Sequence, residues 1–419
     1  MSWFDPWDVI ESVALNDEPL DRLLDRADPS LRGILDRALD GQRPTVDEAV
    51  LLFSVERLGD LTALVRTADA IRSRDVGDDV TYVVNRNLNF TNVCFVNCQF
   101  CAFKRQRWES DAYTHGLDRI LAKVTEGIER GATEICMQGG INPDMHPFYY
   151  RDLLVDIKSR FPALHVHAFS PMEIMYGVRR SGMTYEDYLR MLRDCGLGSI
   201  PGTAAEILDD EVRELLSHKK VDVATWVEII TTAHRLGIPT TSTVMYGHVE
   251  TPGHVARHVD LLRGIQERTG GFTEFVPLGF IWENTKLYHD GLVQAQPKGL
   301  RDLRMYAASR LALRGLIDNL QTSWVKLGHR LSQLTLRAGC NDFGGTLMEE
   351  SISREAGADA GEYTSVDEIE TLVRAMDRVP VQRTTLYGRL NQHATIETRD
   401  GTDRWSRGGP ISPGPLVAH

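Results

Sequence analysis

TYVVNRNLNFTNVCFVNCQFCAFKR, residues 81–105, decides how the rest of the chain is read. Its opening, TYVVNRNLNF, reads as a strand, and the cysteines Cys94, Cys98 and Cys101 follow at once with the spacing C-x3-C-x2-C. Thiolates are the usual ligands of iron–sulfur clusters. Three of them leave one iron of a four-iron cube without a protein ligand. An open coordination position can take a chelating small molecule, as the open site of a catalytic zinc does. Structural zinc instead needs four ligands, usually in paired C-x2-C knuckles, and His115 does not stand at knuckle spacing. The remaining cysteines, Cys136, Cys195 and Cys340, are scattered. Six cysteines in a chain of 419 residues do not suggest a disulfide scaffold, and the clustered ones point to metal in a reducing compartment.

Outward from this stretch the pattern alternates. LDRILAKVTEGIERG reads as a helix stopped at Gly131, EICMQGG as a strand with a glycine turn, PFYYRDLLVDIKSRF as a helix and LHVHAFS as a strand. TYEDYLRMLRDCG is expected to be a helix, GLGSI a short strand, AAEILDDEVRELL and VATWVEIITTAHRLG helices, and TTSTVMYG a strand. HVARHVDLLRGIQERTG and LRDLRMYAASRLALRG continue as helices, with strands at FTEFVPL and QTSWVKL. Strands alternating with helices imply a parallel sheet with right-handed crossovers, and this many units favours a closed or nearly closed barrel over an open sheet. The cysteine loop then falls at the C-terminal mouth, where barrel active sites form.

The flanks differ from this core. Residues 6 to about 75 read as helical, with a capping box at Thr45-Val46-Asp47-Glu48. A second box, Ser365-Val366-Asp367-Glu368, opens a late helix, and a short strand is expected near VQRTTLYG. The expected division is a helical extension over 1–75, a barrel over 76–340, a segment closing the barrel mouth over 341–395, and a disordered tail over 396–419.

The formal net charge is −12, with 42% hydrophobic and 25% charged residues. This composition can bury a large core, and its acidity argues against nucleic acid and anionic membranes as partners. No stretch is apolar enough for a membrane span, and the N-terminus lacks the basic start and apolar run of a secretion signal, so a cytoplasmic location is expected.

Several strand ends carry polar groups. MQGGINPD sets Gln138, Gly139 and Gly140 at one of them, where glycine allows close backbone approach to a ligand or simply a turn. HVHAFSPMEI carries His165, His167, Ser170 and Glu173; the two histidines share a strand face, and Glu173 is the candidate at the mouth. Thr203 and Glu206 form a capping box, or Glu206 serves the site, or both. STVMYGHVETP places Met245, Tyr246, His248 and Glu250 at another strand end, where His248 and Glu250 are candidates for proton transfer and His248 is otherwise a locally bonded loop residue. AGCNDFGGTLMEESISREAGA concentrates Asn341, Asp342, Thr346, Glu349 and Glu350 in what is expected to be a loop entering a helix, with Thr346 and Glu349 a possible box and Cys340 a small buried hydrophobe.

The cysteine spacing after a first barrel strand resembles the radical S-adenosylmethionine (SAM) superfamily. The resemblance implies an α/β fold, a TIM-type (β/α) barrel with an N-terminal helical and a C-terminal α/β extension. It implies a [4Fe-4S] cluster on Cys94, Cys98 and Cys101 whose open iron binds the amino and carboxylate groups of SAM. Phe100 would pack on the adenine. Gln138, Gly139, Gly140, Ser170, Glu206, Met245 and Tyr246 would surround the cofactor, although Ile141 stands where the family usually has an acidic residue. Glu173, His248, Glu250, Asn341 and Asp342 would then be the candidates for catalysis.

Over roughly residues 80–390 the segments PGTAAEILDDEVR, TAHRLGIPTTSTVMYGHVET and NDFGGTLMEESISREAGA resemble one small group within that superfamily. It contains the second subunit of FO synthase together with two enzymes of the menaquinone route, aminofutalosine synthase and dehypoxanthine futalosine cyclase. GGTLMEESISREAGA is most similar to the FO synthase type. That similarity implies transfer of a 4-hydroxybenzyl group from L-tyrosine to 5-amino-6-(D-ribitylamino)uracil, with the first FO synthase subunit as functional partner and an unnamed protein as reductant. One cysteine triad implies a separate subunit rather than a fused enzyme. The alternative is a futalosine-pathway enzyme of menaquinone synthesis with the same cofactors. A non-catalytic iron–sulfur carrier would need neither a barrel nor so many polar strand ends.

Overall fold

Helices built on clear caps precede the first strand of the computed structural model, which describes residues 5–390. They are α1 (Pro6–Ala14), α2 (Leu20–Arg26), α3 (Pro29–Leu39), α4 (Val46–Phe53) and α5 (Leu58–Val76). Asp5, Asp28 and Thr45 accept backbone N–H groups at the starts of α1, α3 and α4, and the Thr45–Glu48 box closes in both directions.

The strands are β1 (Asp79–Val83), β2 (Asn85–Asn89), β3 (Glu134–Gln138), β4 (His165–Ala168), β5 (Thr240–Tyr246), β6 (Phe272–Gly279), β7 (Asp342–Gly345) and β8 (Val379–Gln382). Between β2 and β5 lie α6 (Leu117–Glu129), α7 (Tyr149–Arg160), α8 (Pro171–Ser181), α9 (Tyr185–Asp194), α10 (Asp210–Ser217) and α11 (Val223–Arg235). Beyond β5 come α12 (Pro252–Thr269), α13 (Lys286–His289), α14 (Leu300–Leu313), α15 (Trp324–Leu327), α16 (His329–Thr335), α17 (Ser351–Ala356) and α18 (Val366–Arg374).

The pairings are parallel and follow one another in a circuit. β2 pairs with β3, and β3 with β4. Bridges His167–Ser199 and Ile200–Thr240 carry the circuit to β5, which pairs with β6. Bridges Phe275–Leu320 and Gln321–Asp342 reach β7, and β7 pairs with β1, which is separated from β2 only by Val84. This is the plan of a TIM-type (β/α) barrel. Alternation sends Leu88, Ile135, Met137 and Val166 into the apolar layer under the helices. Asn85, Asn87 and Asn89 share the opposite face of β2, where Asn85 Nδ2 donates to Glu134 Oε1 at 2.8 Å and Asn89 Nδ2 to the Gln138 carbonyl at 3.1 Å.

β8 pairs with the other edge of β1, and the residues after it fill the end of the barrel where strands begin. Arg383 donates to both oxygens of Asp342, the first residue of β7, at 2.5 and 3.1 Å, and lies 3.5 Å from Glu274 near the start of β6. Tyr387 donates to the same Glu274. The stretch 341–395 is therefore divided in the described residues: Asp342–Gly345 is wall, α17 lies at the mouth, and Arg383 and Tyr387 stand at the opposite end. The tail expected over 396–419 lies outside the described residues.

The structure corrects several local expectations. PMEIMYGVRRS, to which the sequence reading assigned no element, is a helix, α8, whose start is marked by Ser170 as cap, Pro171 in the first turn and Glu173 reaching back. The helix expected from Ala204 begins only at Asp210. Ala204 and Glu206 have φ of 61° and 41°, and the carbonyls of Ala204 and Ala205 accept from the Arg213 guanidinium instead of from helix N–H groups. Thr203 and Glu206 therefore form no capping box. QTSWVKL pairs only at its start and then turns into α15, the Trp324 indole donating to the Gly345 carbonyl at 2.9 Å. DFGG is strand rather than loop. Thr346 does not cap a helix either: its hydroxyl donates to the Asn85 carbonyl at 2.7 Å, while Leu347, Met348 and Glu349 have φ of 63°, 37° and 89°.

Candidate functional site

The chain leaves β2 at the mouth and enters a loop that is bonded on several sides. Cys94 N–H donates to the Arg105 carbonyl at 3.0 Å, and Arg105 N–H to the Asn92 carbonyl at 2.8 Å, folding the loop on itself. Phe95 N–H donates to the Ile141 carbonyl after β3 at 3.2 Å, and Gln99 N–H to the Leu216 carbonyl at the end of α10 at 2.9 Å. Asn97 takes a left-handed φ of 63°, which turns the chain between the first two cysteines.

The glycines of the turn after β3 are demanded by close packing. A Cβ on Gly140 would stand 2.2 Å from the Val93 carbonyl oxygen and 3.0 Å from Cys94 Cβ. One on Gly139 would stand 2.5 Å from the Phe90 ring. The turn is thus wedged beneath the cysteine loop. Glu173 fixes it from the other side. Its Oε1 accepts from Gly139 N–H at 3.1 Å, and its Oε2 accepts from the backbone N–H and hydroxyl of Ser170 at 2.6 and 2.7 Å. Burial pushes the Glu173 carboxyl up to about 7 against those bonds. Glu173 and Ser170 reach the site as a clamp joining the ends of β3 and β4.

Cys94, Cys98 and Cys101 border one cavity of about 230 Å³, together with Phe100, the Gln138–Gly140 turn, Glu206 and Lys220. Burial raises all three thiols above the ordinary range. Their protons must therefore leave with the arrival of a metal rather than spontaneously. Lys220 pairs with Glu206, and its ammonium lies 5.0 Å from the centre of the Phe100 ring. Ser217, the last residue of α10, donates its hydroxyl to Cys98 Sγ at 3.0 Å. A second cavity of about 150 Å³ shares Phe100, Cys101, Thr203, Glu206 and Ile352 with the first and runs on to Met245, Phe280 and Lys326.

These residues fit an iron–sulfur cluster. The three thiols are free and open on one space. Among the described residues no three His, Cys, Asp or Glu side chains close round one point as a single metal ion requires. Thiolates on separate corners of a cube need no such convergence.

The other expected residues lie elsewhere. Tyr246 donates its hydroxyl to Asp302 at 2.6 Å, and His248 Nε2 is 2.9 Å from the Met245 carbonyl with Nδ1 3.1 Å from Glu250. All three line a separate cavity with Arg301 and not the cavity of the three thiols. Asn341 accepts from Arg310 at 2.7 Å and from Leu320 N–H at 2.9 Å, tying strand ends together. Asp342 is held by Arg383 at the far end of the barrel. Sequence reasoning missed Ser217, Lys220 and Lys326. SHKK directly after a helix and a lysine inside the apolar run WVKLG were the available signals.

A parallel barrel whose first strand feeds a three-thiol loop at its mouth defines a class of enzymes that generate radicals from an iron–sulfur cluster. Residues 88–262 match the model of the radical SAM superfamily, and 269–396 that of the CofH/MqnC C-terminal region. The chain is 50% identical to the 5-amino-6-(D-ribitylamino)uracil–L-tyrosine 4-hydroxyphenyl transferase of Methanothermobacter thermautotrophicus, over 84% of this chain and 96% of that one. It is 49% identical to FO synthase of Streptomyces coelicolor, over 90% of this chain but 43% of that one. Among solved structures, methylornithine synthase aligns with a TM-score of 0.64 at 18% identity, covering 83% of this chain and 97% of that one. The [FeFe]-hydrogenase maturase HydG aligns with a TM-score of 0.68 at 16% identity, over 89% and 81%, and both likenesses concern the fold alone. The chain belongs to the radical SAM superfamily, in the branch of the tyrosine 4-hydroxyphenyl transferase and FO synthase. No helix among the described residues is long and apolar enough to cross a membrane.

Proposed function

We propose that this chain is a 5-amino-6-(D-ribitylamino)uracil–L-tyrosine 4-hydroxyphenyl transferase of FO biosynthesis, acting in the cytoplasm. The observation that carries the reading is the 50% identity with that transferase over 96% of its length. In this reading the circuit of parallel strands is a closed barrel with Asp342–Gly345 as its last member. Cys94, Cys98 and Cys101 hold the cluster, and their number leaves one iron for SAM. Bound there, cluster and SAM would together supply a 5′-deoxyadenosyl radical.

The chain's own residues position and isolate the reactants. Phe100 offers a ring face to the adenine, and the Gly139–Gly140 backbone lies open to the methionine end. L-Tyrosine and the uracil occupy the second cavity, whose walls at Met245, Leu278, Phe280 and Ile281 exclude water from the reacting carbons. The radical would take a hydrogen atom from L-tyrosine, whose Cα–Cβ bond would break into 2-iminoacetate and a 4-hydroxybenzyl radical; that fragment would join the uracil, and the adduct would lose a proton and return one electron to the cluster. The first FO synthase subunit would then close the ring.

The test is an anaerobic reaction of reconstituted protein with reductant, SAM, L-tyrosine and the diaminouracil, followed by mass spectrometry. A hydroxybenzyl–uracil adduct with 5′-deoxyadenosine is expected. Deoxyadenosine formed only with futalosine-pathway substrates would reassign the substrate. Neither product from fully loaded protein would overturn the enzymatic reading.

A further inference from the structure

The second cavity is walled mainly by Phe100, Met245, Leu278, Phe280 and Ile281; Lys326 on α15 is the lysine that lines it, and the carboxylate that lines it, Glu206, is held by Lys220 and Arg213. Among the described residues Lys326 Nζ donates no hydrogen bond and forms no ion pair. The other lysines near the thiols, Lys104 and Lys220, are already engaged, by the Asn97 side-chain oxygen and by Glu206. Lys326 is half-buried, and this partial loss of water disfavours its charge, with Glu350 and Cys101 only partly restoring it. A cation left unpaired against apolar walls is costly to the fold and is offset when a ligand brings the missing anion. The ligand that suits such a space carries an apolar body and one carboxylate.

We propose that Lys326 receives the α-carboxylate of the amino-acid substrate, with the aromatic side chain lying against the apolar walls. The inference rests on the transferase reading and deepens it by assigning a residue to one of two substrates. The uracil carries no carboxylate, so Lys326 distinguishes the two by charge. SAM does carry one, but Lys326 borders the second cavity and not the cavity of the turn and the three thiols. Lys326 is thus a specificity residue for the amino acid.

Equilibrium dialysis of labelled L-tyrosine against the cluster-loaded protein with SAM tests this. Loss of a charge-assisted bond to this half-buried group should weaken binding by roughly 10- to 100-fold in Lys326→Met. Lys326→Arg should recover part of the loss. Tyramine, which lacks the carboxylate, should bind wild type and Lys326→Met alike. Iron content, SAM affinity and KM for the uracil should stay at wild-type values in both variants. Unchanged tyrosine affinity in Lys326→Met, or a loss of SAM affinity in place of tyrosine affinity, would overturn the assignment. In both cases the adduct would still form in wild type, so the transferase reading is judged separately.

Discussion

Replacing Gly140 with alanine should dislodge the cysteine loop without touching a cysteine. The new Cβ would stand 2.2 Å from the Val93 carbonyl oxygen and 2.7 Å from its carbon, where real Cβ atoms keep at least 3.0 Å. Something must therefore move by roughly 0.8 Å, and both neighbours are backbone, which cannot rotate away as a side-chain tip can. Overpacking of this kind costs about 1–3 kcal/mol. Gly140 has no positive φ, so the whole effect belongs to the contact and not to backbone conformation. The segment that yields carries Cys94, so the distortion falls on a thiol. Iron per chain and the visible absorption after anaerobic reconstitution read this directly, and a melting curve reads the fold. Gly140→Ala should load clearly less iron and melt a few degrees lower. Gly59→Ala, where a Cβ meets nothing within 4 Å on α5, should load like wild type and be no less stable. Full iron loading with an unchanged melting curve in Gly140→Ala would refute the wedge argument.

Three further outcomes follow from the same geometry. Ser217→Ala should assemble a complete cluster with a more negative midpoint in an EPR-monitored titration, because a hydroxyl donated to Cys98 Sγ favours the reduced, more negative state; Ser217→Thr should keep the wild-type value. Asp342→Asn should cost roughly 3–5 kcal/mol in urea unfolding by leaving Arg383 buried with a weakened partner, while folded protein still loads iron, whereas lost turnover at unchanged stability would make Asp342 catalytic after all. Glu173 is held near 7 in the fold against an ordinary 4.5, so the fold binds its proton more tightly than the unfolded chain does. Its contribution to stability therefore falls as pH rises from about 4.5 to about 7 and is flat outside that window. Glu173→Gln should flatten that segment of the stability–pH curve, and an identical slope in both proteins would discard the buried carboxyl as its cause.

The class of fold was legible because strand and helix periods differ and because the barrel repeats them. The three thiols were legible because cysteine spacing carries its own chemistry. The expected residues that stand away from the thiol cavity share a physical origin. Tyr246, His248, Glu250, Asn341 and Asp342 were placed near chemistry by being polar at strand boundaries. A strand has two ends and a loop two sides, and one sequence does not say which polar group meets a buried arginine. Asp342 is the first residue of its strand, not the last, so it stands at the far end of the barrel. Glu173 was singled out for its place at the mouth, and the S-x-x-E pattern that caps α8 also delivers its second oxygen to Gly139. Lys326 escaped notice because a lysine in an apolar run looks like a solvated residue until the walls around it are known.

The cysteine loop is held by elements that do not depend on metal. Phe95 N–H reaches the turn after β3, Gln99 N–H the end of α10, and the Gln99 carbonyl accepts from Leu287 N–H at 3.1 Å. These anchors belong to three separate parts of the barrel mouth. A structural zinc finger, by contrast, spends much of its metal affinity on folding its own backbone. Here that ordering is supplied by the barrel, so metal binding need not fold the loop. Loading should therefore depend weakly on denaturant below the unfolding transition. The same arrangement lets a thiol be exchanged for alanine without unfolding the chain: Cys98→Ala should lose the cluster and turnover yet keep the wild-type circular dichroism and cooperative melting. Loss of the fold along with the cluster would mean that metal, and not the three anchors, organises the mouth.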